Sequence, residues 1–567
     1  MKIKHRWQKI AIGITGGILV ILILLTIGGF FFLKPLVTSR IRKGVEKASN
    51  HLYSISFSDI TYNPSMGQVF ISDVKFTPDT LVYRRLHALK KAPNDLLTIS
   101  VPAIRLTGVF PLSVIFSKTL NLSNIVVQKP AITLRHNNFD YNADKQSAER
   151  KTPYQFISKY LTSLSINKVS LNDVNLTYEN YETKTPKKSV VEHLNIDIAD
   201  VLIDSLAHKS GERIYYAHDY TFTLKETTLP DKNQLADNLL KDVVFSLKKR
   251  TLTVKEYHLK PRFDEMSFAK ASGGRDRTEV QFKNIIMKDI HPDKLFPEIK
   301  LYANNLSLDS GYVKVFNDKR YPRKVRNKVG EYPHQLLKKL GLKINIDTVS
   351  ISNVKVTYSE YDPEAKLTGF ISFDHIKGRV LHATNDSLPL LKNPVCYADF
   401  HTYFMNKGSL DVHFIFNTTS EKGDFICKGQ LGYFEGTSIN NITIALTKVG
   451  VESLQVNKYV FNMKGNDNYV TGTGILYYEN LKANILKVDK TPDEEAPKRR
   501  FRLFKKRPVP TFLVNNLVLK DSNPSKKNKL RTGTIKYTRV PTKSFFGTLW
   551  GGLSQSLFQC VTGTVKD

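Results

Sequence analysis

Val349-Ser350-Ile351-Ser352-Asn353-Val354-Lys355-Val356 decides the fold. Two pairs of apolar residues alternate with polar ones, and Asn353 stands between the pairs and shifts the phase by one. Alternation predicts a strand with one apolar face. The extra residue would carry the second pair to the other face. A β-bulge at Asn353 absorbs it and keeps the apolar face continuous, and Asn accepts the unusual backbone angles such a bulge needs. The pattern returns in Ile55–Tyr62, Val69–Phe76, Leu120–Val127, Val169–Leu176, Ile196–Ile203, Val280–Met287, Leu301–Leu308 and Phe512–Leu519, each with Asn or Asp in the fifth slot. One such octet is ordinary in any all-β protein. Repetition with the same slot predicts a mainly β fold, a long, curved, repetitive bulged sheet.

The 567 residues allow several domains. Lys and Arg number 84 against 52 Asp and Glu, a formal charge of +32. Such an excess favours a polyanionic neighbour: acidic lipid headgroups, lipopolysaccharide or nucleic acid. Three cysteines, Cys396, Cys427 and Cys560, make no disulfide framework. Cys396 and Cys427 are either one bridge or, the simpler expectation, buried free thiols.

Lys2, Lys4, Arg6 and Lys9 precede a stretch, Ile10–Leu33, without a charged residue. At ~1.5 Å per residue it is long enough to cross a ~30 Å hydrocarbon core with some tilt. It exceeds the apolar region of a cleaved signal, and no good cleavage site follows. Residues 1–33 are therefore expected to be a cytoplasmic tip and an uncleaved transmembrane helix, with the body on the far side. Lys34, Arg40, Arg42 and Lys43 oppose that orientation. Gly13 and Gly17 form a GxxxG that would let a second membrane helix approach. Val37, Ile41, Val45, Ala48 and Leu52 recur every three or four residues, which predicts an amphipathic connecting helix over 34–52.

Distant segments then answer one another. Phe76-Thr77-Pro78 and Leu259-Lys260-Pro261 each precede a helix-like stretch, and Pro153-Tyr154-Gln155 and Pro333-His334-Gln335 each open a short helix. Val169–Tyr181 matches Val349–Tyr361. The shared order predicts two β repeat units, 53–235 and 236–392. A third β region, 393–540, carries expected strands that include Ile439–Leu446. It also holds a mobile basic loop, 489–508, where Arg499, Arg500, Arg502, Lys505, Lys506 and Arg507 are candidate contacts for anionic headgroups. Residues 541–567 close with an amphipathic helix on which Phe546, Leu549, Trp550, Leu553, Leu557 and Val561 share a face, either to cap the last sheet or to lie at an interface.

No enzyme motif stands out. The sequence has no HExxH, no Cys/His zinc spacing, no GxSxG and no P-loop. No catalytic residue, metal or cofactor is expected, and the acidic residues Asp59, Asp73 and Asp173 at the bulge slots are expected to be structural. The apolar residues Val169, Leu171, Val174, Leu176, Val349, Ile351, Val354 and Val356 are expected to face one concave surface. That surface is either an open groove for acyl chains or the closed core of a sandwich. The corresponding functions are a lipid conduit and a structural tether that binds an envelope polymer or partner protein. Nucleic acid is disfavoured by the expected anchor and by the absence of a recognised RNA motif.

The arrangement resembles the AsmA-like family of bacterial envelope proteins, whose architecture is related to TamB and the bridge-like lipid-transfer proteins. The resemblance rests on the segment Ile10–Leu33, on repeats such as Val69–Phe76, and on Gly472–Lys482. Asn516–Leu519 and Ser544–Trp550 are similar to the endings of AsmA-like chains of the Bacteroidetes type. It covers nearly the whole chain through degenerate patterns. It implies an inner-membrane anchor, a periplasmic body, an apolar β-groove, and a role in outer-membrane biogenesis or phospholipid transport.

Overall fold

The computed structural model describes residues 34–563 apart from 64, 111–116, 143–151, 182–186, 208–212, 215, 232, 296–299, 322–325, 489–503 and 507–517. The expected membrane span, with Gly13 and Gly17, lies outside the described residues, as do Arg499, Arg500, Arg502 and Arg507. Among the described residues no helix is long and apolar enough to cross a membrane. The fold is mainly β. The chain forms two compact units: Met1–Pro230 with Leu239–Lys255 and Lys288–Lys300, and Asp231–Asn238 with Glu256–Met287 and Leu301–Asp567.

In the first unit, helix α1 (Lys34–Ala48) leads into β1 (Tyr53–Ser56), β2 (Asp59–Asn63), β3 (Gln68–Pro78), helix α2 (Thr80–Ala88), β4 (Asp95–Thr107), β5 (Thr119–Gln128) and β6 (Ala131–His136). Helix α3 (Pro153–Ile157) precedes β7 (Ser163–Asn180), β8 (Lys187–Ile203) and β9 (Ala217–Pro230). Strands β1 and β2 both pair with β3, and β3 continues antiparallel to β4. Strands β5 and β6 lie parallel to successive halves of β7, which then meets β8 and β9 antiparallel. The core gathers Ile71, Ile104, Leu120 and Ile125 from the strands under Ile41 and Val45 of α1 and Ile157 and Leu161 at α3. The predicted connecting helix is present over Lys34–Ala48, and Ile41 and Val45 of its stripe join this core, whereas Ala48 is exposed and Leu52 follows the helix.

Strands β10 (Ala236–Ser246), β11 (Thr251–Pro261), β12 (Arg277–Ile290) and β13 (Lys300–Asp318) divide their residues between the units, with helices α4 (Glu265–Ser272) and α5 (Pro292–Leu295) among them. The second unit continues through helix α6 (Pro333–Lys338), β14 (Lys343–Asp362), β15 (Leu367–Thr384), helix α7 (Ser387–Lys392), β16 (Val395–Phe404), β17 (Gly408–Asn417), β18 (Phe425–Leu431) and β19 (Phe434–Glu435). Helix α8 (Asn440–Thr447), β20 (Val449–Gly465), β21 (Tyr469–Val488), β22 (Phe504–Lys506), β23 (Gly533–Thr538) and helix α9 (Phe545–Thr562) complete it. Antiparallel pairing runs β14–β15–β16–β17–β18–β20–β21–β23.

Buried polar bonds fasten this unit. Arg539 is ion-paired with Asp467, sits 4.2 Å from the Tyr332 ring centroid, and is almost wholly buried. Gln335 Nε2 donates to the same Asp467 at 2.7 Å, and Tyr332 Oη donates to the Asn466 carbonyl at 2.9 Å. A buried charge pair of this kind needs its remaining hydrogen bonds filled; Gln335 and the Gly330 N–H serve Asp467 and the Lys328 carbonyl accepts from Arg539 Nη2, while Arg539 Nε is left without a partner among the described residues.

Two expectations are corrected. Ile439–Leu446, read as a strand from its alternating Ile and Thr, is helix α8. Its entry is held by Asn440, whose side chain bonds both the N–H and the carbonyl of Val451 at 2.7 and 2.8 Å. Ile444 and Ala445 are then buried, Ala445 against Gly369, where an added Cβ would stand 3.0 Å away. Tertiary contact overrides weak local preference there. Lys505 and Lys506, expected within a loop, belong to the short strand β22, because the far end of β21 offers Leu486–Val488 as a pairing edge.

Candidate functional site

The bulges are the origin of the site. Asn353 has φ 51° and Asp173 φ 58°, the left-handed region that costs most side chains energy and that Asn and Asp tolerate. The pairing of β14 with β15 shifts register between Ile351 and Val354 and again before Val356. The pairing of β7 with β8 shifts at the equivalent residues Leu171, Val174 and Leu176. Asp73, Asp200 and Asn284 fill the fifth slot of their octets with φ of 50°, 51° and 51°.

Asp59, Asn124 and Asn305 do not adopt it. Asp59 opens β2, where the break between β1 and β2 already accommodates the bulge at Asp73, and Ser58 Oγ donates to Asp73 Oδ2 at 2.9 Å. Asn124 Nδ2 instead donates across to Thr107 Oγ1 at 3.4 Å. In β13 the left-handed residue is Ser310, not Asn305. Asn516 lies outside the described residues.

The bulges are tied to one another across strands. Asn353 Nδ2 donates to Ser310 Oγ at 3.3 Å, and its Oδ1 lies 3.3 Å from His375 Nδ1, itself at φ 53°. Asp173 Oδ1 lies 2.6 Å from His193 Nδ1, at φ 58°. The histidine partners were not singled out from sequence, since each sits a strand away from the slot it braces.

Beyond each bulge the apolar residues stay on one face, as the octet requires. In the first unit one row of aligned residues runs Ile60–Ile71–Ile104–Val127–Leu171–Ile196–Phe222 across seven strands. Its first four members are buried, and its last three are half-buried. In the second unit a row runs Val349–Val380–Ala398–Phe414–Cys427–Met463–Gly472–Ile535. It begins half-buried at Val349 and Val380 and ends at Ile535 with no exposure. Each row therefore passes from a covered end to an uncovered one.

Of the eight predicted residues, Val169, Leu171, Leu176, Val349, Ile351 and Val356 are half-buried. Val174 and Val354 are 0% and 4% exposed. Val174 belongs to a small core with Leu97, Ile132 and Leu134. These two are the residues directly after the bulge, and they are not open to solvent. Both sets keep to the apolar face of their own hairpins, which bears no charged side chain at the paired positions named above. Phe222 adds an aromatic contact with Phe245, ring centroids 5.8 Å apart.

The thiols are free and buried. Burial pushes Cys396 up to about 11 and Cys427 up to about 12, so both are inert uncharged core residues. On β11–β13, burial alone would raise the Glu279 carboxyl, but hydrogen bonds from Tyr312, Arg277 and His258 outweigh it and hold it at about 2. Glu279 is thus the anion at the centre of a polar brace. Among the described residues no group of three His, Cys, Asp or Glu side chains is placed to hold a metal. No known family model matches the chain, and no curated protein is similar to it.

Proposed function

We propose that this chain is an AsmA-like, membrane-anchored envelope protein that carries the acyl chains of phospholipid or lipopolysaccharide along the apolar faces of its bulged strands, in outer-membrane biogenesis or lipid transport. Its place is the bacterial inner membrane, spanned once, with the body in the periplasm. The observation that supports it is the half-buried part of each row: Leu171, Ile196 and Phe222, and Val349 and Val380. These residues are neither sealed in a core nor interrupted by polar side chains, as an acyl-binding surface requires. A buried methylene is worth ~0.8 kcal/mol, so taking a two-chain lipid of ~30 methylenes through water costs on the order of 20 kcal/mol. A continuous apolar face lowers that barrier with no bond made or broken, so the function needs no catalytic residue.

A photoactivatable benzoylphenylalanine at Ile351 tests it in the full chain in cells. Lipid adducts are expected at Ile351 and not at Ser350, the next residue, which points to the other face. Equal labelling at both positions, or none at either, rejects the acyl-carrying face. The second reading, a structural tether, draws on the sealed residues Val174 and Val354. It predicts that lipid adducts are absent while envelope polymer or protein adducts form on the basic surface.

A further inference from the structure

Helix α9 contains no charged residue from Phe545 to Thr562. One side is packed: Phe545, Thr548, Leu549, Gly552, Ser556 and Cys560 are buried. Phe545 meets the rings of Tyr332, Phe425 and Phe416 at centroid distances of 5.0, 5.1 and 5.8 Å. The approach of helix to sheet depends on Gly533, where an added Cβ would stand 2.2 Å from the Ser556 carbonyl oxygen. The sequence stripe that joined Leu549 to Phe546 and Trp550 is therefore split, with Leu549 inward and the two aromatics outward.

The outward side is unusual. Phe546, Trp550 and Phe558 are 70%, 62% and 53% exposed; Phe546 and Trp550 stand four residues apart on one side of the helix, and Phe558 follows eight residues further along the same i, i+4 row. A helix on a globular surface normally turns charged residues to water on that side. Single exposed apolar residues need no explanation, but an aligned ridge does. Exposed lysines flank the helix at both ends, Lys543 beside Gly547 and Lys520 beside Gly563. Across residues 518–563 the only carboxylate side chain is Asp521, and it pairs with Lys526 at 3.6 Å.

We propose that this ridge docks in the headgroup layer of an anionic bilayer, with the aromatic rings at the interface and the lysines over acidic lipids. Trp with Phe at that depth and Lys at the ends is the composition of an interfacial helix, whose binding grows with apolar area and with lipid charge. A second copy would bring the same flanking lysines against these, and like charges oppose such a contact. The proposal goes beyond the acyl-carrying faces of β7–β9 and β14–β16 and stands or falls separately from them.

The chain has two tryptophans, Trp7 and Trp550. The test uses the full chain with Trp7→Phe, held in nanodiscs of neutral lipid, so that Trp550 alone reports. It is titrated with separate vesicles of bromine-labelled phosphatidylcholine, with and without phosphatidylglycerol. Anionic vesicles are expected to quench and blue-shift Trp550, and added salt to weaken the effect. The exposed substitutions Phe546→Ser and Phe558→Ser together are expected to raise the half-quenching lipid concentration roughly tenfold or more. Absence of quenching, or equal quenching by neutral vesicles, overturns the proposal. So does protection of Trp550 from acrylamide before any vesicle is added, which would place another part of the chain over the ridge. A blue shift that follows protein concentration without vesicles overturns it in favour of self-association.

Discussion

Within the first unit, Ile104 and Ile196 belong to the same aligned row, yet Ile104 is 4% exposed and Ile196 is half-buried. The two residues are the same type on the same face of continuous β structure. What differs is the cover. Ile41 and Val45 of α1, with Ile157 and Leu161 at α3, belong to the same core as Ile104, and Ile196 does not. The second unit repeats the lesson, since α9 closes over Met463 and Ile535 through Phe545, Leu549 and Cys560. Strands supply the apolar face, and helices decide how much of it is sealed.

The comparison breaks first, if it breaks, under charge. Ile104→Asp or Val174→Asp places a carboxylate in a sealed core and is expected to cost about 4 kcal/mol or more, enough to deplete the protein. Ile196→Asp leaves the carboxylate within reach of water and is expected to cost about 1–2 kcal/mol, with protein level retained. Immunoblots and limited proteolysis of the three variants decide it. Equal loss in all three would mean that the row is sealed throughout.

Acid sharpens the contrast from the covered side of the second unit. His334 is buried against Phe416, ring centroids 4.9 Å apart, and burial, with a smaller contribution from the Lys338 charge, holds it down at about 4. Its folded pKa lies below the unfolded value, so the unfolded chain takes up a proton first as pH falls. Stability is intact above ~6.5 and is lost between ~6.5 and ~4, by on the order of 3 kcal/mol. Denaturant melts of the wild type and His334→Phe across this window should differ, with the variant flat. A wild type equally flat would show that His334 ionises freely in the folded state.

The bulge itself carries the smallest effect. Asn353→Gly keeps the left-handed geometry and should change stability by less than about 1 kcal/mol, whereas Asn353→Val should cost about 1–2 kcal/mol through its branched side chain at positive φ. Asp173→Gly and Asp173→Val should show the same order. Equal effects of Gly and Val at both slots would mean that the φ of these residues carries little of the bulge.

Much of this was legible because bulges and alternation are local. Asn353 and Asp173 declare the phase shift within eight residues, and Pro153 and Pro333 announce α3 and α6, each with a Gln that bonds back to the residue before the proline. Burial was not legible, because it depends on residues far along the chain. Nothing near Val174 names Leu97 or Ile132 as its neighbours, and nothing near Trp550 says that Leu549 turns inward. Ile439–Leu446 misled for the same reason: its alternation is real, but the bond from Asn440 to Val451 settles the helix.

The bulge has a further effect on how the chain survives its own synthesis. A sheet with half-open apolar faces is a hazard for fibrous stacking, where flat strands of many copies align in register. A flat strand from another copy cannot follow β14 past Asn353, or β7 past Asp173, without turning its apolar side chains to the wrong face halfway along. The same residue that keeps the apolar surface continuous inside one molecule thus withholds that surface from orderly aggregation between molecules.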